Sequence, residues 1–369
     1  MIFPGPLEYL LTTAVAFLVA VATTPLFRAI ARRYGILDHP VLPRKIHARS
    51  VPYLGGMAFL TAYLAVLVES IWRRPELIAP VHYPLAVLGT VIILLGLADD
   101  IFDLSGILKL LVELAVGGLL YYWAVGEQGL AKPLHAIVDL GPFAPAIAAL
   151  WVAGVMNAIN FTDGLDGLAA GLVAIASAML LIVGIINQQP ATCLVMATLL
   201  GSCLGFLVYN FHPASIFMGD AGALFLGFML GGATLVEQQK GAAVVALLVP
   251  VIAIALPIAD TLLSFLRRLR RAREGQFFHP DREHLHHRLL ALGLNQRRAV
   301  LTMYLFSFFM GLLAILAGVL PGRLKPAVPF IAALFTAAAV IWLHRLEQRQ
   351  RSKNQASETI SVDDPNIPA

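Results

Sequence analysis

The sequence predicts an all-α, polytopic integral membrane protein with about eleven transmembrane helices. Its 369 residues are 59% hydrophobic and only 13% charged, whereas about a quarter of the residues in a soluble domain are charged. Apolar stretches of about 18–25 residues recur along the chain, and this is the length that a helix needs to cross a bilayer. Because these stretches are evenly distributed, we expect one membrane domain and no soluble domain.

The predicted spans follow one another with mostly short polar connections. No Lys or Arg precedes the first apolar stretch, so we expect an uncleaved first span instead of a signal peptide. The eleven spans are residues 8–30, 54–72, 83–100, 106–125, 142–160, 167–187, 191–210, 221–237, 242–266, 299–320 and 325–345. The membrane domain thus covers residues 1–347 with a polar loop at 267–298, and the polar tail at 348–369 is expected to be disordered.

The distribution of Lys and Arg predicts the orientation in the membrane. The loops after the odd-numbered spans carry 20 of the 26 Lys and Arg residues if they share one side. Cytoplasmic loops are enriched in these residues, so the N-terminus is expected outside and the C-terminus in the cytoplasm. The net charge of +4 comes with no nucleic-acid-binding pattern; the bilayer, and no nucleic acid, is the expected partner.

Three carboxylates end the third predicted span, in the segment LADDIFDLSGILK. Asp99, Asp100 and Asp103 lie within five positions, and adjacent carboxylates at an apolar helix end are costly. A divalent cation or a cationic partner would relieve that cost, and Lys109 could hold a lipid phosphate nearby. The alternative is an ordinary solvated helix end.

A second acidic motif, NAINFTDGLDGLAAG, joins the fifth and sixth predicted spans. The spacing of three between Asn160, Asp163 and Asp166 predicts that they share one side of a helical turn. Their oxygen atoms are the ligands that magnesium prefers. The alternative is an Asp/Gly turn between two spans.

A third motif, YNFHPASIFMGDAGALFLG, places Asp220 at the start of a Gly- and Ala-rich helix. A helix N-terminus carries free N–H groups and suits a phosphate, while Asn210 and Phe217 could read and stack a nucleobase. Taken alone, however, this motif favours the simpler interpretation that Asp220 caps the helix.

Two basic motifs complete the set. In HPDREHLHHRLL, the side chains of His284, His286 and His287 crowd beside Arg282. No Cys or acid ligand with known zinc spacing accompanies them, so a cationic cluster for a pyrophosphate is the preferred interpretation over a solvated loop. In RKIHARSVPYLGG, Lys45 could contact a phosphate or nucleotide, or could serve only to set the topology.

Taken together, these motifs resemble the polyprenyl-phosphate N-acetylhexosamine-1-phosphate transferase family, over about residues 10–345. Its members transfer a sugar 1-phosphate from a UDP-sugar to a polyprenyl phosphate and release UMP. One branch carries a PxHHHxE-type motif and uses UDP-MurNAc-pentapeptide. The HLHH in this sequence instead resembles the branch that uses UDP-GlcNAc to start teichoic acid, O-antigen or a related glycan.

The resemblance implies a role for each motif. UDP-GlcNAc and undecaprenyl phosphate are the implied substrates in the bacterial inner membrane, with the site facing the cytoplasm and a homodimer left open. Asp99 and Asp100 are implied to act on the lipid phosphate, and Lys109 to bind it. Mg²⁺, or alternatively Mn²⁺, is the implied cofactor, at Asp220 with Asn160 as a second candidate ligand. The implied nucleotide contacts are Asp163, Asp166, Asn210, Phe217 and Lys45, and the implied pyrophosphate contacts are His284, His286, His287 and Arg282.

Three other functions fit parts of the sequence. Acids in membrane helices also mark ion pathways in transporters, but here the acids gather at one membrane face. A CDP-alcohol phosphotransferase would carry a DGxxAR run, whereas Asp166 and Gly167 are followed here by Leu168, Ala169, Ala170 and Gly171, with glycine in place of the arginine. A non-catalytic scaffold ranks last because the motifs are intact. Whether the transfer is direct or passes through an aspartyl phosphate stays open at this point.

Overall fold

The structure, a computed structural model, is almost entirely helical over the residues that it describes. These residues are 5–38, 50–126, 141–235, 285–320 and 330–341, with isolated positions 255, 258, 327, 328, 345, 346 and 348. The helices are α1 (Pro6–Tyr34), α2 (Gly56–Arg73), α3 (His82–Phe102), α4 (Gly106–Gly126), α5 (Ala144–Thr162), α6 (Leu168–Ile186), α7 (Pro190–Asn210), α8 (Gly219–Leu235), α9 (Leu285–Ala291), α10 (Gln296–Val319) and α11 (Phe330–Ile341). Two short strands, β1 (Leu37–Asp38) and β2 (Val51–Pro52), pair antiparallel between α1 and α2.

Among the described residues, seven helices, α1 to α7, are long and apolar enough to cross a membrane. They coincide with the first seven predicted spans to within a few residues, which confirms an all-α, multi-pass architecture. Helix α8 corresponds to the eighth predicted span, α10 to the tenth and α11 to part of the eleventh. The ninth predicted span, 242–266, lies outside the described residues apart from positions 255 and 258. The total of eleven spans and the orientation of the termini therefore stay predictions.

Helix α8 is the central helix of the described part. Every residue from Ala221 to Leu235 is buried, as expected for a helix that is apolar on all sides. It packs against α2, α3 and α5. Its N-terminus is therefore surrounded by the ends of other helices, where polar side chains meet it.

Helices α3 and α8 approach each other closely at Gly96. A Cβ atom added to Gly96 would lie 2.4 Å from the Cα atom of Ala221, so only glycine fits this contact. Small residues allow membrane helices to bring their backbones together in this way. Because Gly96 lies three residues before Asp99, the contact fixes the acidic end of α3 against the start of α8.

A smaller hydrophobic cluster joins α9 and α10 to the start of α6. Leu285 and Leu289 of α9 and Val300 of α10 are buried with Leu165 and Leu168. This packing places α9, which follows directly after the position of His284, beside the turn between α5 and α6.

Candidate active site

Lys109 connects two of the predicted carboxylates. Its Nζ atom lies 2.6 Å from Oδ2 of Asp99 and 3.0 Å from Oδ2 of Asp220. Asp99 is in the last turn of α3, Lys109 in the first turns of α4, and Asp220 in the first turn of α8. Since α3 ends where α4 begins, these side chains meet at one end of the helical bundle.

Asn160 completes this group from the last turn of α5. Its Nδ2 atom donates a hydrogen bond of 3.1 Å to Oδ2 of Asp220, so Asp220 is held from both sides by Lys109 and Asn160. The sequence motif taken alone favoured Asp220 as the cap of α8, and this interpretation is wrong. Its carboxylate instead faces α4 and α5.

Asp100 is the residue that caps α8. Its carboxylate accepts hydrogen bonds from the backbone N–H groups of Asp220, at 2.9 Å, and Ala221, at 3.3 Å. Gly219 makes this approach possible: its φ is +70°, and a Cβ atom there would lie 2.4 Å from Oδ2 of Asp100. The Tyr53 hydroxyl donates to the Asp100 carbonyl at 3.0 Å. Successive helical residues point about 100° apart, which is why the neighbouring acids Asp99 and Asp100 have different partners.

The turn between α5 and α6 separates the acids of the second motif. Helix α5 ends at Thr162, and Gly167 has a φ of +78°, so the prediction that Asn160, Asp163 and Asp166 share one side of a helical turn is wrong. The chain leaves the helix because Gly164 and Gly167 permit a tight turn. The alternative considered for this motif, an Asp/Gly turn, describes its backbone.

Asp166 binds the loop between α7 and α8. Its Oδ2 atom lies 2.7 Å from Nδ1 of His212 and accepts a hydrogen bond of 3.0 Å from the Ala214 N–H. Arg297, from α10, donates to the His212 carbonyl through Nε at 3.2 Å and Nη2 at 3.0 Å. The two loops and α10 therefore form one connected unit.

Asp163 lies just beyond the end of α5, where the charges of Asp220 and Asp166 act on its carboxyl group. The residue is partly exposed. Burial, followed by the charges of Asp220 and Asp166, raises the pKa of Asp163 to about 7. A cation bound nearby would favour its ionised form.

Asn210 and Phe217, both expected to contact a nucleobase, differ in their environment. Asn210 is 2% exposed, and its amide is used within the protein: Oδ1 accepts from the Gly167 N–H at 3.0 Å and Nδ2 donates to the Ile216 carbonyl at 2.9 Å. This geometry favours a positioning role for Asn210 over direct nucleotide contact. Phe217 is only partly buried, which is compatible with stacking against a base.

Several predicted residues fall where the structure gives no side-chain description. Lys45, Arg282 and His284 lie outside the described residues. The backbones of His286 and His287 belong to α9, but their side chains are outside the described part. Their predicted phosphate contacts stay predictions.

Other polar residues of this region were not identified from the sequence. Glu113 of α4 accepts a hydrogen bond from Nδ2 of Asn157 in α5. The sequence feature that could have identified Glu113 is that it is a lone acid inside an apolar stretch. His212 was part of the third motif, but no partner could be assigned to it. Arg297 carried no signal beyond its positive charge.

The described side chains fit a magnesium ion only if substrate atoms supply some of its ligands. Within the described ranges, no three His, Cys, Asp or Glu side chains are arranged to hold a metal. Magnesium, however, commonly takes one or two carboxylates and completes its coordination with water and substrate phosphates. The adjoining carboxylates of Asp99 and Asp220 and the amide oxygen of Asn160 suit that requirement. Lys109 contacts the same two carboxylates, so a cation there would compete with its ammonium group.

The fold and the site together define a class: a multi-pass membrane protein with carboxylates and a lysine gathered at the ends of its helices. The chain belongs to glycosyl transferase family 4, whose family model matches residues 83–238.

The sequence of this chain is similar to those of three named relatives. It is 35% identical to the "Probable undecaprenyl-phosphate N-acetylglucosaminyl 1-phosphate transferase" of Bacillus subtilis (strain 168), over 84% of this chain and 86% of the relative. It is 35% identical to the "Decaprenyl-phosphate N-acetylglucosaminephosphotransferase" of Mycolicibacterium smegmatis, over 81% and 79%. It is 30% identical to the "Phospho-N-acetylmuramoyl-pentapeptide-transferase" of Halalkalibacterium halodurans, over 83% and 96%.

Proposed function

We propose that the protein transfers N-acetylglucosamine 1-phosphate from UDP-GlcNAc to undecaprenyl phosphate, giving undecaprenyl-diphosphate-GlcNAc and UMP. The observation that carries this proposal is Lys109, held between Asp99 and Asp220 at the ends of three apolar helices. A lipid whose tail lies in the bilayer presents its phosphate at this level. The names of the Bacillus and Mycolicibacterium relatives support a polyprenyl phosphate acceptor and an N-acetylglucosamine donor.

The reaction would take place at the cytoplasmic face of the bacterial inner membrane. The excess of Lys and Arg on the side of the α3–α4 connection supports this orientation. The product would be the starting lipid of a cell-envelope glycan, such as a teichoic acid or an O-antigen. The site lies at helix ends and not near the bilayer midplane, which argues against a transporter.

In the proposed reaction, an oxygen of the lipid phosphate attacks the sugar-side phosphorus of UDP-GlcNAc. The new P–O bond forms as the bond to the UMP phosphate breaks. Lys109 binds the lipid phosphate through Nζ and reduces the repulsion between the two phosphates. Asp99 accepts the proton of a singly protonated lipid phosphate at Oδ2. Asp100 keeps α8, and with it Asp220, in place.

This arrangement favours direct transfer over a covalent aspartyl phosphate. Both oxygens of Asp100 are engaged by the N–H groups at the start of α8, and Asp99 is paired with Lys109. Asp100 is therefore engaged by the backbone, and Asp99 has the role of proton acceptor in the direct route, so neither is the proposed nucleophile. Exchange of labelled UMP into UDP-GlcNAc without lipid would contradict the direct route.

Mg²⁺ is the proposed cofactor, with Mn²⁺ as the alternative, and Asp220 would hold it together with Asn160 and the neighbouring Asp99. A cation held by these residues would supply positive charge to neutralise the donor pyrophosphate. Asp163, Asp166 and Phe217 would line the nucleotide pocket. The buried Asn210 would position the backbone around it through its hydrogen bonds with Gly167 and Ile216. The proposed remaining contacts are Lys45 to the nucleotide and Arg282, His284, His286 and His287 to the pyrophosphate.

A second donor has support from the Halalkalibacterium relative, whose name refers to a muramoyl pentapeptide. The same acceptor chemistry would then use UDP-MurNAc-pentapeptide. We favour UDP-GlcNAc because the HLHH sequence at 284–287 differs from the PxHHHxE type, and because the GlcNAc-named relatives have the higher identities.

Release of UMP from purified protein distinguishes these possibilities. Detergent-purified protein would be incubated with undecaprenyl phosphate and each UDP-sugar in turn, with Mg²⁺ or with EDTA. We expect UMP only with UDP-GlcNAc and only with the cation. UMP from the muropeptide donor would overturn the donor assignment, and no UMP from either donor would overturn the proposed function.

A further inference from the structure

A second polar layer lies beneath the Lys109 site, inside the membrane-spanning parts of α4 and α5. It consists of Glu113, which is 1% exposed, and Asn157, whose Nδ2 donates to Oε2 of Glu113. The same Nδ2 atom donates to the Ala153 carbonyl at 2.9 Å. Polar groups inside apolar helices carry a desolvation cost and are retained where they serve a function. The reaction proposed above assigns none to this pair.

Glu113 and Asn157 lie on the same helix faces as two residues of the site. Glu113 follows Lys109 by four residues, and Asn157 precedes Asn160 by three. Residues with these spacings lie on one face of a helix, one turn apart. The Glu113–Asn157 hydrogen bond therefore joins α4 and α5 about 4.5–6 Å along the helices from the two side chains that hold Asp220.

The two helices are also packed tightly on the far side of this bond. A Cβ atom on Gly117 would lie 2.9 Å from the Cα atom of Ala149, so α4 and α5 are in close contact one turn deeper. The glycine contact brings the two backbones together but is not directional. The hydrogen bond at Glu113 adds a directional polar contact between the same two helices, one turn closer to the site.

We infer that Glu113 is a positioning residue, whose hydrogen bond with Asn157 holds Lys109 and Asn160 on the two sides of Asp220. The inference rests on the proposed function of this site. Position 113 requires an acceptor oxygen at the end of a side chain as long as that of Glu. It does not require a charge, because the donor is a neutral amide and an ionised group is costly at this depth.

Three single variants and one double variant separate this role from simple packing. Glu113→Gln keeps the acceptor oxygen and the side-chain length, whereas Glu113→Leu keeps the volume and removes the acceptor. Asn157→Leu removes the donor, and the double variant Glu113→Leu, Asn157→Leu removes both polar groups, so that no unpaired group remains buried.

Two readouts are needed: UMP release as a function of undecaprenyl phosphate concentration, and Mn²⁺ binding to the substrate-free protein measured by electron paramagnetic resonance. We expect Glu113→Gln to stay within about threefold of wild type in both, since a retained hydrogen bond preserves geometry. Glu113→Leu should lose on the order of 10²-fold in kcat/KM for the lipid, as expected for a misplaced binding group, and about tenfold in Mn²⁺ affinity. The double variant should regain thermal stability but not activity.

The outcomes distinguish the inference from the function on which it rests. Wild-type-like turnover and Mn²⁺ binding by Glu113→Leu would overturn the positioning role while the proposed function stands. Full recovery of activity in the double variant would do the same, because it would make the pair a matter of stability alone. A wild-type protein that neither releases UMP nor binds Mn²⁺ would overturn the proposed function and the inference with it.

Discussion

The Asp100 carboxylate accepts hydrogen bonds from the backbone N–H groups of Asp220 and its neighbour at the start of α8, the first at 2.9 Å. This contact ties the end of α3 to the N-terminus of the central helix. It also sets the distance between Asp99, the residue before Asp100, and the Asp220 side chain. The two acids are adjacent in sequence but have different roles. Asp100 holds the backbone at the start of α8, and Asp99 faces Lys109.

Substitution of Asp100 should affect stability as well as activity. Asp100→Ala removes the cap of α8 and is expected to cost about 0.5–2 kcal/mol of stability, with loss of activity as Asp220 shifts. Asp100→Asn keeps one acceptor oxygen and should lose less of both. Thermal unfolding in detergent and UMP release would be measured together. Equal melting temperatures for Asp100→Ala and wild type would contradict the capping role.

Substitution of Asp220 should affect activity without unfolding the protein. Asp220→Asn is nearly isosteric but removes the charge that Lys109 and a cation would share, so we expect a loss of about 10²–10³-fold in kcat. Asp103→Asn is the matched control: Asp103 is exposed, and its left-handed backbone, with φ of 51°, suits asparagine as well as aspartate. Similar activities for the two variants would argue against a role for Asp220 in the reaction.

The contact of α3 with α8 makes Gly96 a sensitive position. Gly96→Ala would place a Cβ atom 2.4 Å from the Ala221 Cα atom, and the helices would have to separate. We expect a fall in melting temperature and a loss of UMP release, because Asp99 and Asp220 move apart. Gly118→Ala in α4 is the control, since a Cβ atom there meets nothing within 4 Å. A stable, active Gly96→Ala protein would mean that the two helices do not pack as described.

The sequence predicted the helices well because crossing a bilayer requires a long apolar segment, and such segments can be recognised locally. The first seven spans agree with α1 to α7 for this reason. The acids of the first and third motifs could be recognised as candidates for a functional site, because charged groups at the ends of apolar helices are costly unless they bind a partner. Their pairing could not be derived, because 120 residues separate Asp100 from Asp220 and nothing local indicates which helix ends meet.

The turn after α5 is a second feature that the sequence pattern did not predict. A spacing of three suggested a continuing helix through Asp163 and Asp166, yet α5 ends at Thr162. The backbone N–H of Gly167 is bound by the Asn210 side chain, which comes from the distant end of α7. A tertiary contact therefore stabilises a turn that the local pattern left open.

His212 should influence binding of the nucleotide donor more than the chemical step. It orients Asp166, which we place in the nucleotide pocket, so His212→Ala is expected to raise KM for UDP-GlcNAc about tenfold, the usual effect of losing a hydrogen bond to a charged group. His212→Asn places an amide donor near the position of Nδ1 and should recover part of the affinity. Steady-state kinetics at saturating lipid would measure both. A fall in kcat with unchanged KM would refute the positioning of Asp166 by His212.

The pH dependence of stability should report on Asp163. Its pKa in the folded protein is about 7, above the ordinary value of 3.8, so between these values the folded state binds more protons than the unfolded state. Stability from this group is therefore complete at low pH and is lost as the pH rises through about 7. Asp163→Asn removes the titration. The melting temperature of this variant minus that of wild type should consequently be larger at pH 8 than at pH 5.

Titrating groups that do not interact with Asp163 are common to both proteins and cancel in this difference. Asp103→Asn, at an exposed position, provides the baseline for removing an acid from the same face. Addition of Mg²⁺ at pH 8 should reduce the difference for Asp163→Asn, because a cation beside Asp220 stabilises the ionised Asp163 carboxylate of wild type. A difference that does not change between pH 5 and pH 8 would mean that Asp163 has the same proton affinity in the folded and unfolded protein, and that burial and the charges of Asp220 and Asp166 do not raise its pKa.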